Sequence, residues 1–252
     1  MDRGIYAASS GGLMRNRQLD VVANNLANVS TVGFKAERLV SRQENFEDTL
    51  ASRLASDNER AQYDQQRTPG IIDIRTQTDF SAGPIEYTGN PLNVAINEEN
   101  TFFVVQTPEE EQYTRAGNFS LNNLSQIVSA DGYPVLGDGG PIQVPQGKVS
   151  IDSGGNVSVD GQSVAKLRTV RIDNTEALKR VEGVRFRADD PLTQEAVEPM
   201  LVPQSVETAN LNVVEAMVEM IDAQRGFEAY TKTVQTIDDM NDRAIRSARA
   251  AG

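Results

Sequence analysis

The chain predicts a mainly β central domain flanked by N- and C-terminal α-helices that pair as a coiled coil. Three observations carry that expectation. Apolar residues recur every three or four positions near the N-terminus, the same spacing is sustained near the C-terminus, and the stretch between them alternates apolar and polar residues between Gly and Pro turns. At 252 residues the chain has room for one large domain or two smaller ones.

In the first segment, residues 1–35, Ile5, Ala8, Leu19, Val22 and Leu26 fall on one face, with Gly12 and Arg15 on intervening steps of the same stripe. This spacing predicts an amphipathic helix weakened at Gly11-Gly12, because glycine costs about 1 kcal/mol relative to alanine inside a helix. Gly33 is its natural end point. A polar, charged connector follows over residues 36–68, for which helical and extended conformations are both open.

Residues 69–203 read as an all-β domain. "PLNVAIN" alternates Leu92, Val94 and Ile96, "TFFVVQT" is a short apolar run, and Val149, Ile151, Val157 and Val159 flank the turn Ser153-Gly154-Gly155-Asn156. In the last segment, residues 204–252, the positions Val213, Ala216, Met220, Ala223, Phe227 and Tyr230 continue through Val234, Ile237, Asn241, Ala244 and Ala248 in steps of three and four. That is a coiled-coil seam on a helix expected from about Thr208 to Arg249, roughly 60 Å long. Such a helix cannot bury its seam within a small compact domain. The two apolar stripes at the chain ends therefore bury each other, within one chain or between chains.

Lys plus Arg is 24 against 36 for Asp plus Glu, a net charge of −12, which disfavours phosphate backbones and anionic lipid. Nucleic acid is not an expected partner. The chain has no Cys, His or Trp, which removes disulfides, imidazole or thiolate metal sites, and nucleophilic catalysis based on Cys or His. Glu109-Glu110-Glu111 reads as a solvated hairpin tip. Asp131-Gly132 and "GDGG" lack the ligand spacing of a calcium or phosphate loop. No catalytic residue, cofactor or metal is expected. The N-terminus carries no cleavable signal, and no apolar run is long enough to span a membrane.

Asn24, Asn25 and Asn28 share the flank of the first helix beside Leu26. Asn28 suits helix termination, since Asn tolerates left-handed backbone. The other two sit too far inside for that. A neutral amide at a helix–helix contact offers donor and acceptor without the cost of a buried charge, so these residues are candidates for specifying how helices of different subunits pack. Asn241, the polar member of the C-terminal seam, is a candidate for setting register in the same way.

The stretch "ANNLANVSTVGFK" resembles the N-terminal motif of the flagellar axial proteins, the rod and hook subunits of the bacterial flagellum, with Asn25, Leu26, Asn28, Thr31, Gly33 and Phe34 on its characteristic places. "ETANLNVVEAMVEMIDAQRGFEAYTKTVQT" resembles the family's C-terminal motif, which places Asn210 and Asn212 before a Val-Glu and then Met220, Gln224, Arg225 and Phe227. "PLNVAI", "YTRAGNFSL" and "DGYPVLGDGGPIQVP" are similar to its β-domain phrases. "NEENTFFVV" departs by lacking a Gly before the Phe pair, and "NNLSQIVS" by lacking an Asp-X-X-Gly turn.

The resemblance implies the flagellar rod/hook axial architecture, an inner coiled-coil tube of terminal helices with β domains around it. It implies a structural subunit that assembles with copies of itself and other rod proteins, passing through the type III export apparatus to the periplasm without a cleaved signal or membrane insertion. Length and the opening "MDRGIY" lie nearest the proximal rod subunits, while "QRGFEAYTKTVQT" is equally at home in the distal rod, so a distal rod or other hook-type axial subunit is the alternative within the family. A soluble binding protein that uses its β domain for a small ligand, with helices that only dimerise it, is the rival class.

Overall fold

The computed structural model describes residues 2–44, 71–188, 194–197 and 200–250. Residues 45–68 of the expected connector lie outside these, as do the side chains of the seam positions Asn241, Ala244 and Ala248. The chain divides into a helical unit, Met1–Asn24 with Glu37–Gln77 and Val214–Gly252, and a β body, Asn25–Ala36 with Thr78–Val213.

The fold is mainly β with a helix at each end of the chain. Helix α1 spans Asp2–Ala27 and runs through Gly11-Gly12 without a break. Helix α2 spans Val213–Ala250. It begins later than Thr208 because Ser205–Glu207 form a strand against Ile85–Tyr87, and the Thr208 N–H donates to Pro84 O at 2.8 Å. The start of the connector is extended: Glu37–Glu44 pairs with Ile71–Thr78 in a two-stranded sheet.

Along α2 the covered positions are Ala216, Met220, Ala223, Gly226, Tyr230, Val234 and Ile237. Phe227, expected on that stripe, is 38% exposed, and Gly226 takes its step instead. The reason is steric. A Cβ at Gly226 would lie 3.1 Å from Arg15 Nε, and one at Gly12 would lie 2.2 Å from Tyr230 Cε1, so each glycine makes room for a large side chain of the other helix.

The β body is built on a six-stranded antiparallel sheet ordered Leu178–Glu182, Arg185–Ala188, Glu111–Thr114, Thr101–Gln106, Thr169–Ile172, Gln194–Val197. The apolar run of Thr101–Gln106 is explained by burial on both faces. Phe103 and Val105 join one core with Val94, Ile127 and Val157, while Phe102 and Val104 join another with Tyr113, Ile172 and Phe186. Phe80 stacks edge-on against Phe102 and Phe186 at 5.6 and 5.0 Å between ring centroids.

The hairpin expected around Ser153-Gly154-Gly155-Asn156 forms, with Val149 opposite Val159 and Ile151 opposite Val157. Asp152 shapes its turn, accepting from the backbone N–H of Gly154 and of Asn156 and from the Asn156 amide, each at 2.9 Å. The Asn156 hydrogen bond comes first among the causes that hold the Asp152 carboxyl below its usual range. At the two departures from the family phrases, non-glycine residues take left-handed backbone, Asn100 at φ 54° and Ser125 at φ 57°. Asn122 supports the second turn by accepting from the N–H of Leu124 and of Gln126.

Candidate functional site

Three of the quoted phrases, "GFK", "YTRAG" and "ETANLN", converge in the β body. After α1 ends, the chain turns through Thr31 N–H to Asn28 O (3.0 Å) and Phe34 N–H to Thr31 O (3.2 Å). Gly33 sits at φ +70° with its N–H donating 2.7 Å to Glu207 O, and a Cβ there would lie 2.3 Å from Ala116 N. Only glycine meets both conditions. Phe34 is thereby driven into a small core with Ala116, Val184 and Ala209, and the Arg180 guanidinium lies 4.7 Å from its ring centroid.

Next to it lies a buried ion cluster. Lys35 Nζ donates to Glu207 Oε1 at 2.7 Å and to Ser81 O at 2.6 Å. Arg115 Nε donates to Glu207 Oε2 at 2.9 Å, and its Nη1 to Glu98 O and Thr101 O at 2.7 and 2.6 Å. Gly83 N–H adds a further bond to Glu207 Oε1 at 2.8 Å. All three charged side chains are at most 2% exposed. Burial works against the Glu207 carboxylate, yet the charges of Arg115 and Lys35 with the hydrogen bonds outweigh it and hold the carboxyl below its usual range. Burial lowers the Lys35 amine from the ordinary lysine range, with the Glu207 charge opposing.

Asn210 closes the same region. Its Oδ1 accepts from Ala36 N–H at 2.7 Å, and its Nδ2 donates to Asp79 O at 2.8 Å and to Ser81 O and Oγ at 3.1 and 3.0 Å. One amide thus joins the segment after α1, the segment before α2 and the strand entry between them.

The sequence candidates separate into two groups. Asn25, Gly33 and Phe34 are buried, and Leu26, Asn28, Thr31 and Asn210 are half-buried, all in the β body. Asn28 accepts from the Thr31 hydroxyl at 3.3 Å. Asn212 stands exposed just before the first residue of α2, where an Asn side chain suits the free N–H groups of a helix start. Asn24, Gln224, Arg225 and Phe227 lie exposed on the helices, whereas Met220, Val234 and Ile237 are half-buried on the covered stripe of α2. Lys35, Arg115 and Glu207 are not among the residues that the sequence singles out, although each belongs to a quoted phrase. Their signal was a lone charge beside apolar or small residues within a motif.

Three family models match the chain: Flagella basal body rod protein over residues 5–35, Flagellar hook protein FlgE/F/G D1 domain over 95–159, and Flagellar basal body rod FlgEFG protein C-terminal over 202–247. Similar proteins include the flagellar basal-body rod protein FlgG of Bacillus subtilis, 31% identical with 95% of this chain and 97% of the relative covered. The flagellar basal-body rod protein FlgF of Salmonella typhimurium is also 31% identical, with 97% of both chains covered. FlgF of Caulobacter vibrioides is 28% identical, again over 97% of both chains.

Proposed function

The chain belongs to the flagellar basal-body rod protein family, and from that premise we propose that it is a structural subunit of the proximal rod that carries motor torque toward the hook and catalyses nothing. Its partners are copies of itself and other rod proteins, which it meets in the periplasm after passage through the export apparatus.

The observation that carries the assembly mechanism lies on α2. Val214, Met217, Val218 and Ile221 are 69, 49, 53 and 49% exposed. At about 100° per residue they fall on the side opposite the covered stripe Ala216–Met220–Ala223. One helix of the same chain covers only one side of α2. The second stripe therefore calls for neighbouring subunits, and α1 pairs with α2 as a coiled coil whose fit includes the glycines at 12 and 226.

On this reading the candidate residues act in two ways. Asn25, Asn28, Thr31, Gly33, Phe34 and Asn210 fix the roots of the helices, while Gln224, Arg225 and Phe227 face neighbouring subunits. Asn24 and Asn212 complete the flanks, Met220, Val234 and Ile237 fill the α1–α2 contact, and Asn241 sets register. The test is to label the chain in its own bacterium and image isolated basal bodies. Label along the rod near its base is expected; intact rods without label overturn the reading. The match to FlgG over nearly the whole chain favours a second reading as a distal rod subunit, and label displaced toward the hook end selects it.

A further inference from the structure

Lys35 and Arg115 are cations of one small buried space, and Glu207 is the carboxylate that both of them contact. Their other hydrogen-bond partners, Ser81 O, Glu98 O and Thr101 O, are neutral carbonyl dipoles, which solvate a positive charge without cancelling it. Asp79 acts on Lys35 through its charge alone, as the smallest of the influences on it. Without Glu207, two like charges would face each other away from water.

The position of Glu207 in the chain gives this a consequence. It lies 172 residues after Lys35 and 92 after Arg115, on the last strand before α2. Thr101, whose carbonyl holds Arg115, begins the central strand whose Phe102, Phe103, Val104 and Val105 build both cores. An apolar trio of similar volume would stabilise the site as well or better, because buried ion pairs roughly repay only their own desolvation. What charge adds is a condition on the order of events.

We propose that Lys35, Arg115 and Glu207 form a completion latch, in which the β body closes around the two cations only when the C-terminal segment has delivered its carboxylate. A chain emerging N-terminus first then holds its central strand open until Glu207 arrives, which keeps a partly delivered body from setting in a form that lacks its last strand. The latch is independent of where the assembled protein resides.

The test compares the full natural chain with Glu207→Leu and with the triple variant Lys35→Met/Arg115→Met/Glu207→Leu. Hydrogen exchange is read at the amides of residues 101–106. The single variant is expected to lose protection by about a hundredfold or more, and the triple variant to regain it to within about tenfold of the natural chain. A single variant as protected as the natural chain, or a triple variant as open as the single one, overturns the latch. If the single variant does not fold, a folded triple variant supports the latch and an unfolded one overturns it. Pulse labelling during refolding separates a latch from simple packing. In the natural chain residues 101–106 gain protection in the same phase as Thr208, whereas in the triple variant they gain it earlier. Early protection of 101–106 in the natural chain overturns the proposal.

Discussion

In the β body the Asn210 amide is shared among Ala36, Asp79 and Ser81, and Glu207 accepts from two buried cations and a backbone N–H. Along α2, by contrast, Val214 and Val218 are more than half exposed, and the covered stripe includes small residues such as Ala216 and Ala223. These two side chains of the body find their partners within the chain. α2 exposes Met217, Val218 and Ile221 on the side away from that stripe. On the proposed reading the body is the anchor and the exposed side of α2 is the contact surface of a self-assembling subunit.

The sharpest way to break the comparison is to damage the anchor. Gly33→Val places a side chain against the Ala116 backbone and forces a β-branched residue to φ +70°. It is expected to cost about 3 kcal/mol or more in urea unfolding of the body. Asn210→Ala leaves the Ala36 N–H without its side-chain acceptor and takes one donor each from Asp79 O and Ser81 O, for about 2 kcal/mol in the same measurement. A cost below about 0.5 kcal/mol for either would mean that the convergence of the two chain ends is incidental.

Acid probes the same anchor. The folded Glu207 carboxyl titrates below its ordinary value of 4.5, so its stabilising contribution is fully present above that pH and is lost as pH falls through the folded value. Glu207→Gln should therefore flatten the acid limb of stability below about pH 4.5. An unaltered acid limb would remove the charge from the account of the anchor.

The helical unit should answer differently. Val218→Ser and Ile221→Ser are expected to change the stability of the isolated chain by less than about 0.5 kcal/mol. Each should weaken self-assembly by about fivefold, because each exposed side chain gives up about 1 kcal/mol of burial at a subunit contact. Gly12→Ala is the smallest effect and the most diagnostic in sign. Alanine favours an isolated helix by about 1 kcal/mol, yet here it meets the Tyr230 ring, so helicity should fall in the assembled polymer and rise in a peptide of residues 1–27.

Both terminal helices and the alternating strands were legible because a single periodicity governs each of them. The start of α2 was not, since nothing local distinguishes the strand Ser205–Glu207 from a first helical turn; only its pairing with Ile85–Tyr87 does. Phe227 was placed on the seam by its apolar character, while the structure puts Gly226 there because the contact needs space beside Arg15. The site was half legible. The motifs led to Gly33, Phe34 and Asn210, but Lys35, Arg115 and Glu207 carry charges that composition alone assigns to the surface. Their partners stand up to 172 residues apart, beyond any local spacing rule.

The central claim is that the helical ends find full burial only among neighbouring subunits, whereas the β body is complete in the single chain. Hydrogen exchange on the isolated full-length chain and on the assembled polymer tests it directly. Amides of α2 from Val218 to Ile237 should exchange rapidly in the isolated chain and slowly in the polymer, while those of Thr101–Gln106 should be equally slow in both. Strong protection of α2 in the isolated chain would contradict the account.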